Sequence, residues 1–321
     1  MHRRPLLLSA LAAAAARPAR ADDLPRGPFR IVSGFAPGGS IDTLARFLAR
    51  LAQDRTGRTF VVENRPGAGG TLGASAAARA APTGETLLIG DVGTIGTAKV
   101  FFRDLPYDSE ADFVPVILAA TQPIVMVTAT TPTSLPDLIA RARANPGRLT
   151  HGAAGVGNLT HLLGEELRRR AGIEMTDIHY RSGGEGITAA LKGEVDLSFF
   201  SLATALPHLR SGAARALAVL EPGRLPDYPD LPPAAETLPG YVAAFWYGLH
   251  APAATPPATV QALNAALNAG LRDAEATRNL TAAGFRVGGG TPQDYGAVVA
   301  RERETWGAVI RRLGLEGTGG R

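Results

Sequence analysis

The sequence predicts an α/β protein composed of two units, each built on a parallel sheet. Strand-like apolar runs alternate with amphipathic helical stretches, an order typical of parallel strands joined by right-handed crossovers. This alternation occurs twice, and two long apolar stretches, Phe113–Ala129 and Val242–Ala251, lie between the two sets. The 321 residues are also more than one compact core needs and are enough for two.

The first unit reads as strand, helix, strand, helix, strand. Apolar residues recur at helical spacing after Ser40, which we place at the N-cap of the first helix. A glycine-rich loop, 64–70, separates the second strand from the second helix. The predicted strands are Phe29–Phe35, Thr59–Glu63 and Glu85–Gly90, and the predicted helices are 40–53 and Thr71–Ala80.

The second unit repeats this pattern. Ser134 is the predicted N-cap of its first helix, and Pro136 lies in the first turn, where proline is tolerated. The predicted strands are Arg148–Ala153, Met175–Tyr180, Val195–Phe200 and Ala214–Leu220. The predicted helices end at Ala144, Arg170, Lys192 and Ser211.

Each of the two long apolar stretches is long enough to begin in one unit and end in the other. They therefore predict two crossovers, after which the chain returns to the first unit in three helical stretches, 256–272, 274–283 and 292–313. Trp246 and Tyr247 lie on the second crossover, and we expect them in the core between the units. The predicted limits are 22–122 with 248–321 for domain 1, and 123–247 for domain 2.

The first 21 residues have the order of a secretory leader. Residues 3–4 are arginines, 5–16 are apolar, and 19–21 read Ala-Arg-Ala, which fits the small-residue rule for cleavage. The apolar stretch is shorter than the ~20 residues that cross a bilayer. We therefore predict removal of 1–21 as a signal peptide and export to the periplasm; the alternative is a buried N-terminal helix.

Charge and cysteine content exclude several classes of protein. Loss of the leader removes four arginines and no acid, so the formal net charge of +4 becomes about 0. Basic clusters with interleaved aromatic residues do not occur, so no nucleic-acid partner is predicted. The chain has no cysteine, which excludes disulfides, thiolate metal sites and cysteine nucleophiles.

Glycine-rich loops follow four of the predicted strands. The first reads FAPGGSID, and the others read GDVGTIGT (90–97), GAAGVGNLTH (152–161) and RSGGEG (181–186). Loops at the carboxyl ends of parallel strands line the ligand crevice of open α/β sheets, and helix N-termini offer N–H groups to anions. If the two units face each other through such loops, N–H donors line both sides of a cleft. The sequence therefore predicts a cleft for a small anion with acid groups at both ends.

In the first loop, the backbone N–H groups of Gly38, Gly39, Ser40 and Ile41 are the predicted donors. Asp42 lies in the first helical turn, where its charge would repel a second anion if the side chain faced the ligand. We therefore expect Asp42 to point away and to brace the loop. The alternative is a tight strand–helix turn that holds no ligand.

Nucleotide binding and catalysis have weaker support in the residues. The GVG sequence at 155–157 follows a strand, but Thr160 stands where a dinucleotide motif has its third glycine, and no P-loop motif occurs. The G-x-S-x-G elbow is also missing, so Ser40 and Ser201 are candidate nucleophiles by position alone.

His161 and Glu165 are four residues apart on a predicted helix and could supply two metal ligands. Two ligands are fewer than a metal site requires. We therefore predict no metal and expect this pair at the surface.

The chain resembles the periplasmic substrate-binding receptors of tripartite tricarboxylate transporters, the Bug receptor family. The resemblance runs from about residue 29 to residue 315, in family order. It is carried by FAPGGSIDTLAR, VVENRPGAGGTLGA, LLIGDVGT, LPYDSEADFVPV, HGAAGVGNLTHLLGEE, HYRSGGEGITAALKGEVDL, ALPHLRSGAARALAV, FWYGLHAPAATPPATV and TWGAVIRRLGL. The ENRPGAGG block followed by the LPYD block is the most specific part.

The resemblance implies a two-domain, type II periplasmic binding protein fold with two interdomain crossovers. It also implies no cofactor, no catalysis and a small carboxylate as ligand. The family's partner is a two-subunit membrane permease, and we expect the receptor itself to be a monomer. In the family, the first loop and the facing loop of the second domain hold the carboxylate ends, and these loops correspond to Ala36–Asp42 and Ala154–Thr160.

This sequence departs from the family at two positions. Phe200 stands where family members often carry Asp, and Arg181 stands where they often carry Lys. Loss of a polar contact at Phe200 predicts a more apolar or aromatic acid. The predicted ligand-binding residues are Ala36, Gly38, Gly39, Ser40, Asp42, Gly93, Thr94, Ala154, Gly155, Gly157, Asn158, Thr160, Ser182, Gly183 and Phe200.

The predicted function is an exported solute-binding protein that captures a small organic acid between its domains and delivers it to a membrane transporter. One alternative is an α/β enzyme that uses the same cleft to stabilise an oxyanion. The other is a sensor that reports the ligand to a membrane kinase.

Overall fold

The computed structural model describes residues 24–180 and 183–319. The predicted leader, 1–21, lies outside these residues. In the described part of the chain, ten strands and ten α-helices form a single mixed sheet with helices packed on it.

Three parallel strands form the start of the sheet, as predicted: β1 (Phe29–Ser33), β2 (Phe60–Asn64) and β3 (Thr86–Asp91). Two helices connect them: α1 (Ser40–Thr56) and α2 (Thr71–Ala78). β1 ends two residues earlier than predicted, because the chain turns at Gly34, where a Cβ would overlap with the Gly70 backbone. The βαβαβ unit is therefore confirmed.

The segment after β3, predicted as a loop, is helical. It comprises a six-residue π-helical turn, Val92–Thr97, and the short helix α3 (Ala98–Phe101). Asp91 caps the turn, and Ile95 is buried in the core. Burial thus stabilises a helix in a stretch whose glycines and threonines disfavour one.

The first crossover is confirmed by β4 (Phe113–Thr128), a 16-residue strand that serves two parts of the sheet. Up to Pro123 it pairs with β9 (Ala244–Pro252), and beyond that residue it pairs with β7 (Leu197–Ser201) and β8 (Arg215–Val219). β9 also pairs with β3, so it returns the chain to the first three strands.

The remaining elements of the middle of the chain surround β7 and β8. They are α4 (Leu135–Ala144), β5 (Leu149–Ala153), α5 (Leu159–Ala171), β6 (Met175–His179), α6 (Gly183–Leu191) and α7 (Leu202–Arg210). β5 lies between β6 and β7 and is parallel to both. Ser134 caps α4 by accepting a hydrogen bond from the Asp137 N–H, and Pro136 lies in the first turn, as predicted.

The three predicted helices of the tail are confirmed as α8 (Pro257–Leu271), α9 (Ala274–Ala282) and α10 (Pro292–Arg312). A short strand that the sequence analysis does not predict, β10 (Arg286–Gly289), pairs with β4. The sheet order is β2-β1-β3-β9-β4-β7-β5-β6, with β8 and β10 also on β4. We refer to β1–β3, β9, β10, α1–α3 and α8–α10 as the first half, and to β5–β8 and α4–α7 as the second half.

Trp246 and Tyr247 are buried where the halves meet, as predicted. The Trp246 ring packs edge-on against Tyr295 of α10, with centroids 5.9 Å apart. The Tyr247 hydroxyl donates a 2.9 Å hydrogen bond to Gln122 on β4. Among the described residues, no helix combines the length and apolar character needed to cross a membrane.

Replacement of Gly248 by alanine is expected to destabilise the protein by about 1–3 kcal/mol, the usual cost of overpacking. Gly248 lies in β9, where a Cβ would overlap with the ring of buried Tyr295. Urea unfolding of Gly248→Ala measures the effect, with Gly223→Ala as control, because a Cβ at Gly223 would meet open space. Equal unfolding free energies for the two variants would contradict this packing.

Candidate functional site

The loops that follow β1, β2 and β3 meet at the carboxyl ends of these strands. A Cβ at Gly70 would lie 2.7 Å from the Thr94 methyl group and 3.0 Å from the ring of Phe35. A Cβ at Gly73 would lie 2.6 Å from the backbone of Gly34. Glycine at these positions therefore lets three loops pack together into one wall. The sequence predicts the loops after β1 and β3 as parts of the site, but not the loop after β2.

The first loop presents an open helix N-terminus. Residues 36–40 are exposed, and Gly39 is the N-cap of α1, with no side-chain hydrogen bond to cap the helix. The prediction that Ser40 is the N-cap is wrong, because Ser40 is already the first helical residue. The N–H groups of Ser40 and Ile41 have no intrahelical acceptor at this position, and the helix dipole makes the site favourable for an anion.

Asp42 braces the loop from inside, as predicted. Its carboxylate accepts hydrogen bonds from the Gly38 N–H at 3.0 Å, from Arg46 Nε at 3.0 Å and from Asn64 Nδ2 at 2.9 Å. The Arg46 hydrogen bond is the main cause that lowers the pKa of Asp42 to about 2. The Gly38 N–H is therefore used within the loop, which corrects the prediction that it is open to a ligand.

Thr94, in the loop after β3, is buried and holds the loop together. Its hydroxyl donates to Asp91 Oδ1 at 2.6 Å and accepts from the Asp91 N–H at 3.1 Å. The Thr94 carbonyl accepts a hydrogen bond from Tyr107 at 2.6 Å. Gly93 beside it is exposed. Of the two predicted contacts in this loop, only Gly93 presents an exposed surface.

The loop between β5 and α5 forms a second wall, and most of its polar groups bind one another. The Ala154 N–H donates to Thr160 Oγ1 at 2.9 Å, and the Thr160 N–H donates to Asn158 Oδ1 at 3.0 Å. The Gly157 N–H donates to His161 Nδ1 at 3.2 Å. This internal bonding occupies the N–H groups of Ala154, Gly157 and Thr160, whereas the side chain of Asn158 is exposed and Gly155 is half-exposed.

Phe101 of α3 joins the two walls. A Cβ at Gly157 would overlap with the Phe101 ring, and Gly157 also has a φ of +74°, which favours glycine. Phe101 packs edge-on against Phe102, and a Cβ at Gly69 of the first wall would lie 3.8 Å from the Phe102 ring. The second wall is thus in contact with the first half.

Three predicted residues remain. Ser182 is outside the described residues, and Gly183 is the first residue of α6. Phe200 is buried in an apolar cluster of the second half with Ile187 and Val195. Its side chain therefore packs in the core, and a contact with a ligand stays a prediction. Ser201 caps α7 by accepting a hydrogen bond from the Thr204 N–H.

The expectation that His161 and Glu165 lie at the surface is wrong, because both are buried. Both residues belong to a polar cluster, which we term the α5–β6 cluster. Its members are His161, Glu165 and Arg168 of α5, Asp177 and His179 of β6, and His151 of β5. Arg168 lies 2.6 Å from Glu165 Oε1 and 3.0 Å from Asp177 Oδ2.

Within the α5–β6 cluster, His161, Glu165 and Asp177 each have a ligand atom within 4.8 Å of the others. Both carboxylates are already paired with the Arg168 guanidinium, which supplies the positive charge that a metal ion would bring. Parallel pairing of β5 with β6 places His151 opposite Asp177, with His151 Nδ1 and Asp177 Oδ1 2.6 Å apart. The two strands were predicted from the sequence, and aligning them in parallel would have indicated that His151 lies opposite Asp177.

Comparison with known proteins gives a consistent result. Residues 44–315 match the model of the tripartite tricarboxylate transporter family receptor. Protein BugT of Bordetella pertussis is 34% identical over 307 residues, covering 94% of each chain. A Rhodopseudomonas palustris structure with adipate is 35% identical, with a TM-score of 0.81 over 90% of this chain and 98% of that one. MatC from Rhodopseudomonas palustris with bound malate is 32% identical, with a TM-score of 0.77 over 89% and 100%.

The Asp42 contacts predict a stability difference that depends on pH. Because folding lowers the pKa of Asp42 from 3.8 to about 2, its contribution to stability is complete above pH ~4 and is lost as the pH falls toward 2. The variant Asp42→Asn should therefore unfold more easily than wild type at pH 6, and the difference should shrink at pH 3. Urea unfolding at both pH values measures this, with exposed Asp54→Asn of the same helix as control. A difference that is unchanged at pH 3 would show that the carboxylate charge is irrelevant to the loop.

Proposed function

The chain belongs to the tripartite tricarboxylate transporter receptor family, and we propose that it binds a small carboxylate and delivers it to a membrane transporter. The observation that carries the proposal is the uncapped N-terminus of α1, which opens at an exposed glycine loop. Such a site favours a carboxylate over a neutral ligand. The bound adipate and malate of the two Rhodopseudomonas palustris relatives support this ligand class.

We propose that one carboxylate lies against the first wall. The N–H groups of Gly39, Ser40 and Ile41 are its donors, and Ala36 and Gly93 line the approach. Gly38 and Asp42 do not touch the acid in this arrangement, since they bind each other. Their role is to hold the turn in the shape that presents the three donors.

The far end of the acid lies against the second wall in this proposal. Gly155 and the side-chain amide of Asn158 are the donors there, and Ala154, Gly157 and Thr160 hold the loop that presents them. Ser182 and Gly183, which follow β6 in the sequence, complete the proposed contacts. With Phe200 at a position where family members often carry Asp, we propose that the ligand is a more apolar or aromatic acid.

We propose that the two halves close on the ligand as domains 22–122 with 248–321 and 123–247. β4 changes its pairing partners between Pro123 and Ile124, next to the start of β9, which supports a hinge at this point. An acid held by one wall leaves the donors of the other wall in water. Closure brings both sets of donors onto the ligand, so the closed form binds the ligand more tightly than the open form. The ligand stabilises the closed form by this difference in affinity.

The receptor proposed here is a periplasmic monomer without catalytic activity. Removal of residues 1–21 during export is supported by the leader pattern described above. Its proposed partner is a two-subunit membrane permease, which receives the acid unchanged. A receptor of this kind needs no general base. The candidate nucleophile Ser201 is the N-cap of α7, and its hydroxyl accepts a hydrogen bond there.

Replacement of Gly39 by valine should weaken binding of adipate and malate at least tenfold. The backbone of Gly39 has a φ of −82°, which valine tolerates, and no atom lies within 4 Å of a Cβ built there. The added side chain would therefore leave the fold intact and occupy the space where the carboxylate approaches.

Isothermal titration calorimetry of both acids against wild type and Gly39→Val tests this. Gly223→Val is the matched control, because a Cβ at Gly223 also meets open space and Gly223 lies far from the two walls in the chain. Binding by Gly39→Val with the wild-type affinity would place the ligand elsewhere.

Ligand should also reduce the radius of gyration of the mature protein, because closure brings the halves together. Small-angle X-ray scattering with and without saturating adipate or malate measures the change, with binding verified by calorimetry on the same sample. An unchanged radius in a sample that binds would indicate a rigid cleft and would refute closure.

A further inference from the structure

We propose that His161 is a positioning residue of the second wall and that its uncharged imidazole holds the loop 154–158 in the shape that meets the ligand. The proposal rests on the proposed function, because it assigns a role in carboxylate binding to a side chain that does not touch the acid. Its basis is the contact between His161 and the loop, together with the buried α5–β6 cluster behind it.

The contact is a buried hydrogen bond from the Gly157 N–H to His161 Nδ1, 3.2 Å long. Only a ring nitrogen with a free lone pair accepts such a bond, so the ring hydrogen of a neutral His161 must be on Nε2. Gly157 is held from the other side by the Phe101 ring, with no room for a Cβ. The imidazole and the phenyl ring together fix the residue that precedes Asn158.

The opposite nitrogen of His161 faces the acids of the cluster. His161 Nε2 lies 4.0 Å from Glu165 Oε1, and the His161 ring packs edge-on against the His179 ring, with centroids 4.8 Å apart. The imidazole thus connects the loop of the cleft to the interior of the second half. It is 6% exposed, so water does not supply an alternative acceptor to the loop.

All the ionisable groups around His161 determine where the proton resides. Glu165 and Arg168 face it from α5, Asp177 and His179 from β6, and His151 from β5. Burial is the main cause that lowers the pKa of His161 to about 4; the Asp177 carboxylate opposes this shift, and the Arg168 guanidinium adds to it. Burial also raises the pKa of Glu165 to about 7, and the hydrogen bond to Asp177 adds to this rise.

The His161 imidazole is therefore uncharged near neutral pH. The uncharged state keeps the Nδ1 lone pair free for the Gly157 N–H. Protonation of His161 would place an N–H against an N–H and break the contact. Because the folded-state pKa is lowered, the contact is intact above pH ~6 and is lost as the pH falls through about 4.

The first experiment uses the ligand-free mature protein. Histidine ring nitrogens and the Gly157 amide are followed by ¹⁵N NMR from pH 7.5 to pH 4. We expect an unprotonated Nδ1 on His161 at pH 7 and a Gly157 amide shift that changes with the same midpoint as the ring, below pH 6. A protonated Nδ1 at pH 7, or a Gly157 shift that is independent of the His161 titration, would overturn the proposal.

The second experiment compares two substitutions at His161. In His161→Asn, the side-chain oxygen lies near the position of Nδ1 and can accept the bond, whereas His161→Ala leaves a buried N–H without an acceptor. By calorimetry with adipate and malate at pH 7, we expect at least tenfold weaker binding for His161→Ala and less than threefold for His161→Asn. Protonation of the acids themselves lowers affinity between pH 6 and pH 4 in every variant, and the decline should be smaller for His161→Asn than for wild type. His208→Ala, on α7, is the control.

The outcomes separate the two proposals. Equal affinity of wild type and both His161 variants would refute the positioning role and leave the receptor function intact. Failure of wild type to bind either acid, with the Gly157 amide still following His161, would refute the proposed function for these acids and support the role of His161 in the loop. Should His161→Ala not fold, the NMR titration and His161→Asn still decide the question.

Discussion

The first turn of α1 begins without a side-chain cap, and the organisation of the cleft depends on that uncapped turn. Several other helices are capped by a side chain, as α4 is by Ser134 and α10 is by Thr291, whereas α2, α3 and α8 are not. Asp42 occupies a first-turn position from which it could neutralise the open amides, yet its carboxylate is turned to the Gly38 N–H and to Arg46 and Asn64. The positive end of α1 is therefore left for an anion from outside.

A second constraint is that one strand, β4, pairs with strands of both halves. β4 contributes to the first half up to Pro123 and to the second half from Ile124, and β9 runs beside it. In the proposed closure, the halves change their relative orientation where these strands cross. Because the loops of both walls lie at strand ends, a small rotation at that point would change the separation of the two sets of donors. The contact of Phe101 with Gly157 lies between the walls.

Much of the fold could be predicted from the sequence, because local signals were strong there. The strand–helix alternation, the Ser134 cap and the three tail helices follow from periodicity and capping chemistry. β10 and the π-helical turn Val92–Thr97 could not be predicted in this way. Their stability comes from pairing with β4 and from burial of Ile95, which are contacts between residues far apart in the chain.

The site was predicted at the level of loops and less well at the level of atoms. Glycine spacing indicates where backbone donors converge, but it does not show which donors already have partners. Gly38 and Gly157 use their N–H groups within the protein, and this competition depends on Asp42 and His161 being turned inward. Likewise, the burial of Glu165 follows from the packing of α5 on β6, which no spacing of residues in one helix reveals.

The central claim is that the cleft holds a small carboxylate and returns it unchanged. The most direct test is mass spectrometry of the small molecules released when the protein, purified from the periplasm without added ligand, is denatured. The account predicts one carboxylic acid per protein molecule, and the same acid after prolonged incubation with the folded protein. Release of a neutral compound or a nucleotide, or conversion of the acid during incubation, would contradict it.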